Sequence, residues 1–134
     1  MIDHVSVAVR DLAKAEPFYT ALLAPLGMRK LREWPDAAVG FGKKYPEFWI
    51  NRREAMARVA QDSGVHICVR ATDTRAVEDF HAAALKAGGT SDGAPGLRTE
   101  YHSSYYAAFI RDPDGNRIEA VTFLRDADDS PPRE

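Results

Sequence analysis

The sequence has a single cysteine, Cys68, so no disulfide can form within the chain, a usage that fits a reducing compartment. It has no apolar run approaching about 18 residues, which argues against a membrane-spanning helix. Its first residues enter strand-like sequence at Asp3 without the apolar stretch of a secretion signal. Charge of either sign is not in excess: 18 Lys and Arg stand against 20 Asp and Glu, a net of −2, and no basic run gathers them. Nothing in that balance draws the chain to nucleic acid or to an anionic membrane surface. These absences leave the expectation of a cytoplasmic protein. At 134 residues and 45% hydrophobic, the chain is long enough for one core and short for two.

What is present is a repeated placement of histidine. "GVHICVRATD", Gly64 to Asp73, sets His66 at the head of an apolar, β-branched run, and "DHVSVAVRD", Asp3 to Asp11, does the same with His4. A shift of 62 residues aligns these histidines and also pairs Asp11 with Asp73, Phe18 with Phe80, Ala21 with Ala83, Leu23 with Leu85 and Gly27 with Gly89. Self-similarity in one register is the mark of a duplicated structural unit. The back half of each unit aligns at a shift of 70, "AAV" at Ala37 to Val39 with "AAF" at Ala107 to Phe109. The second unit therefore carries eight extra residues, expected around "DGAPGLRTEYHSSYY".

Within each unit the pattern reads strand, helix, then three strands. Ile2 to Val9 alternates, and "DLAKAEPFYTALLAPLG" has an acidic start, helical spacing of apolar residues and a Pro-Leu-Gly ending. Short strands are expected near 28–34, 37–42 and 48–51, followed by a charged linker at about 52–63. The second unit offers a strand at Val65 to Arg70, a helix at Asp73 to Ala87 closed by Gly88 and Gly89, and a hairpin between Tyr106 to Arg111 and Arg117 to Phe123. "RDPDGNR" supplies its turn, with Gly115 free to take positive φ. The polar tail, 126–134, with adjacent prolines, is expected to be mobile.

Strand parity then sorts the side chains. Val5, Val7 and Val9 share one face, under the helix, and His4, Ser6 and Ala8 share the other; Val65, Ile67 and Val69 repeat the first face, His66 and Cys68 the second. Two equivalent histidines invite a third ligand, and divalent ions commonly take a carboxylate beside two imidazoles. Glu119 in "NRIEAVTF" lies mid-strand among apolar residues, where an unpaired carboxylate is costly. Its alternatives are an edge-strand position in solvent or a partnership with Arg117 or Arg70. Its counterpart in the first unit is Trp49, whose indole has no lone pair to give a metal.

Through "DHVSVAV" with its following "FY", "GVHICVRA" and "RDPDGNRIEAV", the chain to about Phe123 resembles the vicinal oxygen chelate superfamily. That superfamily holds glyoxalase I, fosfomycin-resistance thiol transferases, extradiol dioxygenases, methylmalonyl-CoA epimerase and the bleomycin-resistance proteins. The resemblance implies an α+β fold of two tandem βαβββ modules forming a cupped, barrel-like mixed sheet with helices on the outside, usually as a homodimer. It implies a divalent metal ion, Zn, Ni, Mn, Fe or Co, with His4, His66 and Glu119 at the ligand positions. Glyoxalase I has a further glutamate ligand where this chain has Trp49. In ligand count the chain is closer to the thiol transferases and dioxygenases, yet it lacks the extra modules of the latter and the potassium-loop and phosphonate signatures of the fosfomycin enzymes.

The chemistry so implied is Lewis-acid stabilisation of an enediolate or alkoxide on a small vicinal-oxygen or α-hydroxycarbonyl-like substrate, with a thiol conjugate as one form. Glu119, His102 and Tyr101 are the candidate catalytic groups. Trp49, Tyr105, Tyr106 and Arg98 are candidate substrate contacts, the alternative being a loop that packs its aromatics on the sheet and an arginine in solvent. A second class of function stays open: a metal-free protein of the bleomycin-resistance type that sequesters an aromatic or cationic drug with Trp34, Trp49 and the tyrosines. His81 is expected away from the concave face, in a surface or packing role, and Cys68 as a buried, inert thiol.

Overall fold

Two aspartates start the two helices. Asp11 is the N-cap of α1 (Leu12–Leu23), its carboxylate accepting the Lys14 N–H at 3.1 Å, and Asp73 caps α2 (Thr74–Lys86) through the Ala76 N–H at 2.8 Å. In this computed structural model, which describes residues 1–125, the strands are β1 (Val5–Val9), β2 (Arg29–Trp34), β3 (Ala38–Gly42), β4 (Pro46–Arg52), β5 (Ile67–Arg70), β6 (Thr90–Leu97), β7 (Tyr105–Arg111) and β8 (Arg117–Phe123). The tail expected to be mobile lies outside the described residues. The order is βαβββ twice, with a short 3-10 turn, Ala24–Leu26, closing α1 where Gly27 takes φ 81°.

Each module forms its own four-stranded mixed sheet, β1-β4-β3-β2 and β5-β8-β7-β6, and neither closes into a barrel. The first strand of each runs parallel to the last, and the remaining pairs are antiparallel. The duplication is visible in the register. Ser6 pairs with Trp49 and Cys68 with Glu119, the same two offsets of 62 and 70 that the sequence carries. The match slips in the neighbouring strand: Gly40 faces Trp49 while Phe109 faces Glu119, an offset of 69, so "AAV" and "AAF" are not structural equivalents. Val39 accordingly points into the core and Phe109 does not.

The extra residues of the second module are absorbed in β6 and the turn after it. β6 shifts register twice, around Ser91, Gly93 and Gly96, so much of the expected insert is an irregular edge strand. Strand β5 begins at Ile67, later than expected, which leaves Val65 exposed and His66 on the residue entering the strand.

Val7, Val9, Phe48 and Ile50 meet Phe18, Tyr19, Leu22 and Leu23 of α1, and Ile110, Ile118 and Ala120 meet Val77, Phe80 and Ala84 of α2. Each fully buried aliphatic or phenyl side chain contributes roughly 1.5–3 kcal/mol. The helices also pack on each other, making one continuous core. Each sheet therefore turns its helix-covered face toward the other module and leaves its second face open. The "RDPDGNR" turn locks the modules together: Tyr19 donates to the buried Asp112 carboxylate at 2.5 Å, Asn116 Nδ2 to Ala8 O at 2.8 Å, and Arg10 Nε to Asp114 at 2.7 Å. The linker is anchored beside it, through Val59 N–H to Asp114 O and through Arg111 and Arg117, which reach Gln61 O and Ser63 O.

Candidate metal centre

On the open face of the second sheet, His66 and Glu119 converge although 53 residues separate them, with Nε2 3.0 Å from Oε1. β8 is an interior strand, and Glu119 is only 2% exposed. Neither alternative considered for it holds. The strand is not an edge, Arg117 is engaged by Asp92 and Ser63 O, and Arg70 lies over the Phe123 ring at 4.8 Å. The second carboxylate oxygen accepts the Tyr105 hydroxyl at 2.5 Å. A buried carboxylate with one oxygen held by a neutral donor and the other turned to an imidazole is a preorganised pair of N and O ligands.

The surroundings are aromatic. Phe109 lies beside the His66 ring, Tyr105 meets Phe123 edge to face at 5.4 Å, and Tyr101 meets Tyr105 at 5.1 Å. Burial and the Glu119 interaction push the Tyr105 hydroxyl well above the usual phenol range, so it stays a donor. Cys68, across from Glu119, is exposed on the open face rather than buried as expected, and its thiol is pushed up to about 12 by desolvation and the carboxylate charge, which favours the protonated form at neutral pH. His102 accepts the Ser104 N–H at Nδ1, so in the neutral ring Nε2 carries the proton. Arg98 is not free in solvent. Its two terminal nitrogens bind Gly96 O and Ala94 O and its plane covers Phe109, which staples the irregular part of β6.

Tyr106 departs from the expected group. It neighbours Tyr105 in the strand, so parity sends it to the helix-covered face, where it donates to Glu78 of α2 at 2.8 Å. It is a packing residue there and is removed from the His66–Glu119 pair. His81 is on α2, bonded to Ser91 Oγ.

The first sheet carries the other histidine. His4 lines a shallow pocket of about 250 Å³ with Ser6, Trp34, Ala38 and Trp49, so Trp49 is on the same open face as His4. The indole lies flat across Gly40, where an added Cβ would come within 2.9 Å of it. Asp3 and Tyr45 also belong to this region, and residue-by-residue reading of the sequence overlooked both. The signal was the "DH" pair, because β1 lies beside β4 and thus beside the hairpin that carries Tyr45.

His4 does not join His66 and Glu119. Among the described residues no three His, Cys, Asp or Glu side chains gather as a metal-binding group. The larger hollows, of about 540 and 610 Å³, lie at the start of α2 and beside α1 and include none of the three. The donor types fit a divalent ion, but within one chain they stand on two separate sheets.

With fold and site described, the class is defined: residues 1–120 match the Glyoxalase/Bleomycin resistance protein/Dioxygenase superfamily, and the chain belongs to it. A glyoxalase/bleomycin resistance protein from Albidiferax ferrireducens T118 is 31% identical, with a TM-score of 0.74 over 88% of this chain and 94% of that one. A fosfomycin resistance protein from Mesorhizobium loti shares the fold at 17% identity and TM-score 0.64, covering 90% of each chain. A lactoylglutathione lyase from Agrobacterium tumefaciens does so at 20% and 0.61, covering 90% of this chain and 92% of that one. No curated protein matches the sequence. No helix among the described residues is long and apolar enough to cross a membrane.

Proposed function

We propose that the chain is a metal-dependent enzyme acting on a small substrate with two neighbouring oxygens, and that its site is completed between two copies: His66 and Glu119 of one chain with His4 of the other. The observation that carries this is the buried Glu119, turned to an open face and met there by His66 at 3.0 Å. A carboxylate is kept in such a place when something cationic compensates its desolvation, and no Lys or Arg does so here. The division into two half-sites, one on each sheet, supports the homodimer, because ligands that one chain keeps apart can meet through a second chain.

A divalent ion held there supplies Lewis-acid polarisation of the two substrate oxygens. The chain's own residues do the rest. Tyr105 fixes Glu119 through Oε2, leaving Oε1 directed at the site. Trp49 and Trp34 wall the His4 side and favour flat or apolar substrates. Tyr101, largely exposed, and His102 with its Nε2 proton stand on the turn beside Tyr105 and would donate to substrate oxygens at the rim. Arg98 retains N–H donors toward an anionic group once its two carbonyls are satisfied.

The test is a melting series of untagged protein with Mn, Fe, Co, Ni and Zn salts, together with elemental analysis. Free metal at 100 times its dissociation constant should stabilise the fold by roughly 2.7 kcal/mol, and light scattering should give a dimer mass. Protein that takes up no metal, yet binds flat aromatic cations with quenching of tryptophan fluorescence, would instead support the sequestering class, to which the Trp34–Trp49 pocket is suited.

A further inference from the structure

The His4 ring is exposed and is hydrogen-bonded at one nitrogen. Its Nδ1 lies 2.7 Å from Asp3 Oδ1, and Asp3 is in turn gripped by the Tyr45 hydroxyl, 2.7 Å from Oδ1 and 2.8 Å from Oδ2. The topology enforces this meeting. β1 pairs with β4 from Val5 opposite Phe48, so the residues before β1 lie against the β3–β4 hairpin. That hairpin folds back tightly at Gly42, where a Cβ would stand 1.8 Å from Tyr45 O, and the register shifts between Phe41 and Gly42. Only glycine admits this turn, and the turn delivers Tyr45 to Asp3.

We propose that Asp3, clamped by Tyr45, is a positioning residue that holds His4 in the Nδ1–H tautomer and presents Nε2 to the open face as a ligand. This rests on the reading of His4 as a metal ligand. A carboxylate that accepts only the Nδ1 proton leaves the Nε2 lone pair outward and fixes the ring plane. Toward an ionised carboxylate, which only accepts, the Tyr45 hydroxyl can only donate, so it grips Asp3 without taking the imidazole proton. The two half-sites are thereby steadied by mirror-image devices: a tyrosine on the carboxylate that is itself a ligand in one, and a tyrosine on the carboxylate behind the ligand in the other.

Two measurements separate this proposal from the reading beneath it. Imidazole nitrogen shifts of metal-free protein should report His4 as the Nδ1–H tautomer, shifting to the Nε2–H form that dominates in free imidazoles in Asp3→Ala and largely restored in Asp3→Asn, which keeps an acceptor oxygen. Competition with a chelating dye for Ni(II) should show Asp3→Ala weakening binding about tenfold and Tyr45→Phe a few-fold, with melting temperatures unchanged. An Nε2–H tautomer in the wild type, or nitrogen shifts indifferent to Asp3→Ala, overturns the proposal. Wild-type protein that takes up no Ni(II) or other first-row ion overturns the metal reading, while the nitrogen shifts still decide the clamp. Loss of metal affinity with loss of melting temperature in both variants would make the pair a fold contact and would also overturn it.

Discussion

On the first sheet His4 is 54% exposed in its side chain, backed by Asp3 and Tyr45 and flanked by Trp49; on the second, His66 is 44% exposed and met directly by a carboxylate that the sheet buries. The strands beneath them correspond residue for residue, Ser6 to Trp49 in one and Cys68 to Glu119 in the other. The comparison teaches that duplication retained the backbone pairing while the groups hung upon it diverged. One module brings an imidazole and an apolar wall, the other an imidazole and a charge. Among the described residues neither half gathers three ligand side chains, and the proposed site takes one half of each kind.

Removing the charge breaks the comparison most severely. Glu119→Ala should weaken metal binding on the order of a hundredfold or more, since it deletes a ligand and its preorganised geometry; a chelator competition that finds wild-type affinity would refute the assignment. Coupling between the two regions is probed by Tyr19→Phe, which strips the hydroxyl from buried Asp112 and should cost about 1–3 kcal/mol in denaturant unfolding. Burial and the nearby carboxylates raise the Tyr19 hydroxyl well above the usual phenol range. Its neutral form therefore favours the folded chain below about pH 10, the unfolded value, and that contribution is lost as pH rises through 10 toward the folded value. The wild type should lose stability there more steeply than Tyr19→Phe does.

A third substitution makes the halves more alike. Trp49→Glu places a carboxylate where Glu119 has its counterpart and should tighten metal binding about tenfold, or about 1.4 kcal/mol. An unchanged affinity would show that position 49 does not face the ion. The smallest effect is expected from Arg70→Ala, which removes only the stacking on Phe123, about 0.5–1 kcal/mol, and leaves metal affinity intact. A strong loss of affinity would mean that Arg70 supports Glu119 after all.

Much of this was legible in the sequence, because period-two alternation and a duplicated histidine report directly on strand faces. The helices, their aspartate caps and the glycine-turned hairpin followed from local chemistry. The residues that escaped depend on pairing across strands. Tyr106 reads like Tyr105 until parity sends it to Glu78, and Arg98 reads as exposed until the irregular β6 offers it two carbonyls. Asp3 and Tyr45 meet only because β1 adds beside β4. The sequence was also silent on whether the two histidines share one cavity, since that is decided by the packing of α1 on α2.

Subunit mixing tests the shared site most directly. His4→Ala and His66→Ala homodimers should each bind no metal at the site, as every site lacks one imidazole. When the two are unfolded together and refolded, half of the dimers would be mixed, and each mixed dimer would hold one intact site, built from the His4 of one chain with the His66 and Glu119 of the other. The account predicts that metal content recovers to about a quarter of the wild-type value per chain. No recovery in the mixture, with wild-type protein binding metal under the same conditions, would contradict it.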